Sequence, residues 1–409
     1  MKAFIVVIVA AVALSVAHVI PTAQQPAGLP IDWAPTLESL PSPSGSSTAE
    51  PQFSTEGEQT VLSWLELAGP RTTLKFAERT AAGWSAPRTV AAGDDFMVNS
   101  ADVPSVRFLA DGTLVAEWLR KDGPDPESYT IRLSWSKDGG ATWSAPVSPH
   151  HDRVQTEHGF ASLFQVPGAG LGLVWLDGRA INPDAPEGAG NMALRATVFG
   201  ANGMQGPEVV VDRRVCECCP TAADATADGI VVAYRDRSAN EVRDIYVTRL
   251  VSGRWSLPVR VHADNWRVEG CPVNGPAISA RGRDVVVSWF TAAGGQGRAF
   301  AAFSHDGGRT FGQPVRVDEA GSEGRVGVAL LTDGSAAVSW IEFANAHSTL
   351  MVRRVARSGM RGPAVRVAEV GGTRIPRLVR SGSELLFAWT ETADDASRVR
   401  TARATVPRE

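Results

Sequence analysis

Seven times along this chain an apolar strand closes on an aromatic residue: Ser63-Trp64, Glu117-Trp118, Val174-Trp175, Ala233-Tyr234, Ser288-Trp289, Ser339-Trp340 and Ala388-Trp389. The copies stand roughly 50 to 60 residues apart. Each follows a short strand and a turn, as in Pro104-Ser105-Val106, then Asp111-Gly112, then Leu114 to Trp118. After each come a loop, a third strand and often an outer strand opening with Pro, such as Ser85-Ala86-Pro87 or Ser144-Ala145-Pro146. Four short strands per period, repeated around a ring, predict an all-β fold: a seven-bladed β-propeller of four-stranded antiparallel blades.

The repeats place the blades at about 51–96, 103–149, 158–215, 221–264, 276–318, 325–368 and 374–406. They use nearly all of the 409 residues, so 51–409 is expected to form one closed domain. Residues 24–50 read as a Pro-, Ser- and Gly-rich linker around one short strand. Within it Trp33-Ala34-Pro35-Thr36-Leu37 resembles the outer strands Trp84 to Val90 and Trp143 to Val147, while the last repeat has only three evident strands. The N-terminal strand is therefore expected to complete the last blade and remove the free edges.

Lys2 followed by the apolar run Ala3 to Ala17 predicts a signal peptide over residues 1–23, cleaved after Ala17 or Ala23. That run is short for a membrane span, so no stable span is expected after cleavage. The mature protein is then secreted or periplasmic, where disulfides are permitted. A formal net charge of -4 gives no sign of a nucleic-acid partner.

In a four-stranded antiparallel blade, the loop after the second strand and the link to the next blade open on the same face, here called the top. This face collects the segments after the aromatics and the links between blades. It is rich in ionisable groups: Asp177 and Arg179 after the third aromatic, Arg235, Asp236 and Arg237 after the fourth, and Glu342 after the sixth. Arg grips a carboxylate at two points, and paired carboxylates serve as acid and base. Asp177, Asp236 and Glu342 are the acid/base candidates. The alternative is that these charges pair with one another across blades. A long Pro- and Gly-rich loop from Leu176 to Gly190 adds binding surface.

All four cysteines fall in two neighbouring top-face links, Cys216-Glu217-Cys218-Cys219-Pro220 and Cys271-Pro272. In an exported protein the simplest outcome is disulfides, Cys271 with one of the cluster and a second bridge within it. The alternative is a copper or zinc site, with His158 and His262 as further ligands. Trp266 and Arg267 nearby offer a stacking surface and an anion clamp.

Two bottom-face turns share a pattern, Ser136-Lys137-Asp138-Gly139-Gly140-Ala141-Thr142-Trp143 and Ser304-His305-Asp306-Gly307-Gly308-Arg309-Thr310-Phe311. Asp138 and Asp306 are expected to accept backbone N–H groups inside these turns. Both match the Asp-box, or BNR repeat, and here the chain resembles the sialidase-like (neuraminidase-like) propeller superfamily. The resemblance implies a glycan ligand and, in true sialidases, glycoside hydrolysis. Such enzymes hold the substrate carboxylate on three Arg and use an Asp acid/base with a Tyr nucleophile assisted by Glu. Arg374-Ile375-Pro376 matches their Arg-Ile-Pro motif, although it opens the last blade rather than the first. No Tyr lies in the late blades.

The leading expectation is thus a propeller that binds a polar or anionic glycan on Arg179, Arg235, Arg237, Arg374, Trp266 and Arg267, with glycoside hydrolysis as an extension. The alternatives are a copper, zinc or redox site on the Cys links and a non-catalytic scaffold for another exported protein.

Overall fold

The computed structural model describes residues 1, 32–166, 170–181, 190–370, 374–393 and 396–406. The expected signal peptide and most of the loop after Asp177 lie outside these residues.

Seven antiparallel sheets form the blades. Their innermost strands are Thr48–Glu56, Ser105–Phe108, His158–Val166, Ala222–Thr226, Ala277–Arg281, Ser322–Leu330 and Arg377–Ser381. Each recurring aromatic sits on the second strand of its blade. Trp64, Trp175, Tyr234, Trp289 and Trp340 are all essentially buried. The buried apolar residues divide into seven clusters, one at each junction between neighbouring blades. The cluster of Leu62, Trp64, Ala77, Ala388 and Val399 joins the first blade to the seventh. Burial at about 25 cal/mol per Å² of apolar surface makes these junctions the main force closing the ring.

Leu37–Leu40 pairs antiparallel with Ala396–Thr405, in the register Leu37 with Ala404 and Leu40 with Thr401. The seventh blade therefore joins the first and last strands of the described residues. The first blade begins at Thr48, three residues before its expected start.

Proline breaks the outer strands. In the first blade the fourth strand splits into Gly83–Trp84 and Arg88–Gly93 around Pro87, and in the fourth blade into Arg254–Trp255 and Val259–Arg260 around Pro258. The second blade has three strands rather than the expected four. Beyond Pro146, Val147 alone pairs with Leu133 through two backbone bonds of 2.8 and 2.9 Å. Proline has no N–H to donate to a ladder, so pairing survives only between such residues.

Several inner strands carry a register shift near their top end, at Ala49/Gln52, Gly159/Ser162 and Ser322/Gly324/Gly327. Glu50, Phe160 and Arg325 sit in these bulges with φ of 55°, 52° and 53°. A bulge re-aims the side chain it carries. At Arg325 that side chain reaches the cavity described next.

Candidate functional site

An axial cavity of about 600 Å³ runs between the inner strands of all seven blades. Its charged lining is one-sided: Arg107, Arg281, Arg325, Arg377 and Arg380 face a single carboxylate, Asp224. Arg325 and Arg377 stand near the starts of their strands, so they mark the top end. Arg281 and Arg380 lie near strand ends, toward the bottom.

Arg325 is the least compensated of these groups. Its Nε and Nη1 are buried and have no hydrogen-bond partner. Burial pulls its guanidinium below the usual range, with Glu323 the one charge opposing the shift. Its backbone N–H donates 2.9 Å to Asn274 Oδ1, which fixes the bulge. Arg377 Nε donates 3.2 Å to Pro51 O, and burial lowers that group to about 10 against the pull of Glu50. Asp224 accepts from the N–H groups of Ala280 and Ala225 at 2.6 and 2.8 Å. Burial outweighs those bonds and raises its carboxyl to about 6.

The top face gathers the nominated residues, but mostly into partnerships with one another. Asp177 is fully buried and accepts the Trp175 indole N–H at 2.8 Å and two Arg179 donors at 2.7 Å. Burial works to raise the Asp177 carboxyl, but the Arg179 bonds, His158 and Trp175 together hold it below the ordinary carboxylate value. Glu342 accepts the Trp340 indole N–H at 2.8 Å and Glu319 N–H at 3.2 Å. Two nominated acid/base residues therefore satisfy the N–H of the aromatic that stands two positions before them. Asp236 differs: it is half-buried, and burial followed by the nearby Asp212 carboxylate raises it to about 7.

Arg235 is 1% exposed and donates to the carbonyls of Asn274, Arg243 and Phe290 at 2.6 to 2.9 Å, so no face of it meets a ligand. Trp266 is itself buried, with Arg235 over its ring at 4.9 Å and Phe290 edge-on, so it presents no stacking surface. Arg237 pairs with Glu217 and Glu241, and Arg267 with Glu269 at the surface. Arg374 pairs with Glu50, whose exposure is 2%. His262 Nδ1 lies 2.8 Å from Asp264 Oδ1 and joins no other histidine.

The cysteines form two disulfides, Cys216–Cys219 and Cys218–Cys271, and none is free. The second bridge ties together the two links whose next residues, Pro220-Thr221 and Val273-Asn274, line the cavity. In this state no thiolate remains for copper or zinc. At the bottom face, Asp138 accepts from Ser136 Oγ and Thr142 N–H at 2.8 and 2.9 Å, and Asp306 makes the matching bonds to Ser304 and Thr310 at 2.7 and 3.0 Å. The Thr142 hydroxyl and N–H hold the Asp138 carboxyl down at about 2.

A second group of titratable residues lies between the second and third blades. Phe160 N–H donates 2.6 Å to Asp102 Oδ2, and Tyr129 Oη donates 2.5 Å to Glu157 Oε1. Burial raises Asp102 to about 8 and Glu117 well above its ordinary value. Tyr129 is 1% exposed and so cannot meet a substrate. Close by, His150, Asp152 and His158 converge with Arg179. Burial, and next the His158 ring, push the His150 imidazole down to about 3.

No family model and no curated protein matches this chain. Solved structures do. A polysaccharide lyase named Uly1 is 10% identical, with a TM-score of 0.55 over 88% of this chain and 90% of its own. A protein of unknown function from Dyadobacter fermentans is 15% identical, with a TM-score of 0.49 over 91% of this chain and 98% of its own. A NanB sialidase from Streptococcus pneumoniae is 9% identical, with a TM-score of 0.46 over 85% of this chain and 84% of its own. At 10% identity the likeness to the lyase bears on the fold alone, which here is a seven-bladed propeller of mostly four-stranded antiparallel blades.

Proposed function

We propose that this chain is an exported propeller that binds an anionic glycan at the top end of its axial cavity. The observation that carries the reading is Arg325, a half-buried residue whose Nε and Nη1 are buried and unpartnered, on a cavity lined by five arginines and one aspartate. A buried donor left without an acceptor costs roughly 1–3 kcal/mol. A ligand carboxylate or sulfate would supply the missing acceptors in two-point fashion, with Arg377 as the second cation. The ligand's sugar character rests on the fold shared with the polysaccharide lyase Uly1 and on the two Asp-box turns. Export rests on the sequence of residues 1–23 and is supported by the two disulfides.

Hydrolysis of that glycan is the finer part of the reading. Asp236, raised to about 7, has the protonation expected of a general acid but stands outside the residues that line the cavity, whereas Asp177 and Glu342 are engaged by indole N–H groups. An array of uronate-bearing, sulfated and neutral oligosaccharides, probed with the wild type and Arg325→Ala, tests the binding. Retention of anionic members by the wild type alone supports it; equal retention by both proteins, or of neutral members only, contradicts it. Reducing-end release from a retained glycan, lost in Asp236→Asn, tests the catalytic extension.

A further inference from the structure

We infer that His150, Asp152 and His158 form a zinc site on the top face of the third blade, apart from both the cysteine links and the axial cavity. Three atoms converge there: His150 Nδ1, Asp152 Oδ2 and His158 Nε2. Asp152 Oδ2 lies 3.4 Å from the first and 3.2 Å from the third. In a tetrahedral zinc site with ligand bonds of about 2.0–2.1 Å, neighbouring ligand atoms stand about 3.3 Å apart.

The opposite end of each ligand already has a hydrogen-bond partner. His150 Nε2 lies 2.7 Å from Thr130 Oγ1, His158 Nδ1 lies 3.2 Å from Thr156 O, and Asp152 Oδ1 accepts Val154 N–H at 2.9 Å. A carbonyl only accepts, so the bond to Thr156 O puts a proton on His158 Nδ1 and, in the neutral ring, a lone pair on Nε2. That lone pair then faces a carboxylate oxygen at 3.2 Å. Two acceptors in contact need either a proton on Nε2 or a metal ion between them. His158 is fully buried, and neither its Nε2 nor Asp152 Oδ2 has a hydrogen-bond partner. Outer bonds of this kind are what orients metal-ligating histidines and sets their tautomers.

The surrounding charge agrees. Asp152, Asp177 and Glu208 stand against Arg179 and Arg195, which leaves one negative charge while both imidazoles are neutral. Arg179 Nη2 is 3.0 Å from Asp152 Oδ2 but outside hydrogen-bonding geometry, and it donates instead to Asp177 and Glu208. Two imidazoles and one carboxylate suit a divalent first-row ion, with zinc the most general fit. The rings are stacked, with centroids 3.7 Å apart and planes at 2°. An ion between parallel rings cannot lie in both planes, so loading must turn one of them. His150, held by a single hydroxyl, is the ring that turns.

The test is titration of zinc into the chelator-stripped, disulfide-intact full chain, followed by calorimetry, with cobalt as a spectroscopic substitute. The expected result is one saturable equivalent and visible tetrahedral cobalt bands, both lost in Asp152→Asn and in His150→Ala. Thr130→Val, which removes the outer bond to His150 along with the Thr130 contact to Ser148 Oγ, should weaken zinc roughly 10–100-fold. The exposed His151 serves as control, and His151→Ala should bind as the wild type does. His158→Ala is avoided because a hole in the core could unfold the blade. No saturable binding by the wild type, or binding unchanged in both ligand variants, overturns the site and leaves a His158 imidazolium paired with Asp152.

Discussion

Asn274 accepts the backbone N–H of Arg325 at 2.9 Å, while its amide donates to the carbonyls of Pro272 and Glu323 at 3.2 Å. One side chain thereby links the strand start that carries Arg325 to the segment just after Cys271. Arg325 is held at φ 53°, a conformation that costs a non-glycine residue about 1–2 kcal/mol. Asn274 is therefore a positioning residue for the guanidinium. Asn274→Ala should weaken an anionic ligand at least as much as it destabilises the fold. Asn274→Asp keeps the acceptor but sets a carboxylate against the carbonyls of Pro272 and Glu323 and adds negative charge beside the site, so it should not recover the affinity. If both variants lower Tm equally yet bind like wild type, the link has no bearing on the site.

The Cys218–Cys271 bridge closes a chain separation of 53 residues, whereas Cys216–Cys219 closes one of 3. In the chain-entropy account the longer loop stabilises more, by about 2–4 kcal/mol for an ordinary bridge. Replacing Cys218 and Cys271 together with Ala should lower Tm more than replacing Cys216 and Cys219, and should also loosen the cavity rim. Thermal melts of both double variants, with and without ligand, give the comparison. A larger loss from the short bridge would contradict it.

Asp102 and Glu117 are buried carboxyls whose folded pKa values lie above their unfolded ones. For Asp102 the rise is from 3.8 to about 8, caused first by burial. The folded state therefore holds a proton that the unfolded chain releases. The associated stability is complete below about pH 4 and is lost as pH rises toward 8, by at most about 1.4 kcal/mol per pH unit for one group. Asp102→Asn, which keeps an acceptor for Phe160 N–H, should flatten the slope of denaturant midpoint against pH. An unchanged slope would show that Asp102 is ionised in the fold.

Glu342 holds the Trp340 indole N–H. Glu342→Gln retains an acceptor and should cost less than about 1 kcal/mol, while Glu342→Leu strands the N–H and should cost about 1–3 kcal/mol. If glycan turnover is found and Glu342→Gln abolishes it without loss of stability, the residue is catalytic after all.

The ring was legible because its determinants are local and periodic. The aromatics from Trp64 to Trp389 recur in register with turns and outer strands, and the spare strand near Trp33 matches a gap in the last repeat. A bridge from Cys271 to one of the cluster, with a second inside it, followed from the adjacency of two links in a ring, but the choice of Cys218 as the partner did not. The fourth strand of the second blade was over-read, because Pro146 forbids a ladder that the pattern alone allows. The top-face charges were placed on the correct face, but partnership is not a property of one residue's position. Nothing in Arg235 distinguishes a guanidinium closed over three carbonyls from one open to solvent. Nothing in the sequence around Arg325 sets it apart from other link charges, and only the bulge at Gly324 turns it toward the axis. Arg377 and Arg107 lay within strands, where period-two alternation could have marked them as axis-facing. His158 was visible as a possible ligand, but its partners His150 and Asp152 and the tautomers set by Thr130 and Thr156 require coordinates.

The central claim is tested most directly by calorimetric titration of a matched pair of oligosaccharides, one bearing a uronate and the other the same sugar with that carboxylate reduced to an alcohol. The account predicts that the wild type binds the uronate form, that affinity falls as salt rises, and that Arg325→Ala binds neither. Equal affinity for both sugars, or full affinity of Arg325→Ala for the uronate, would contradict it.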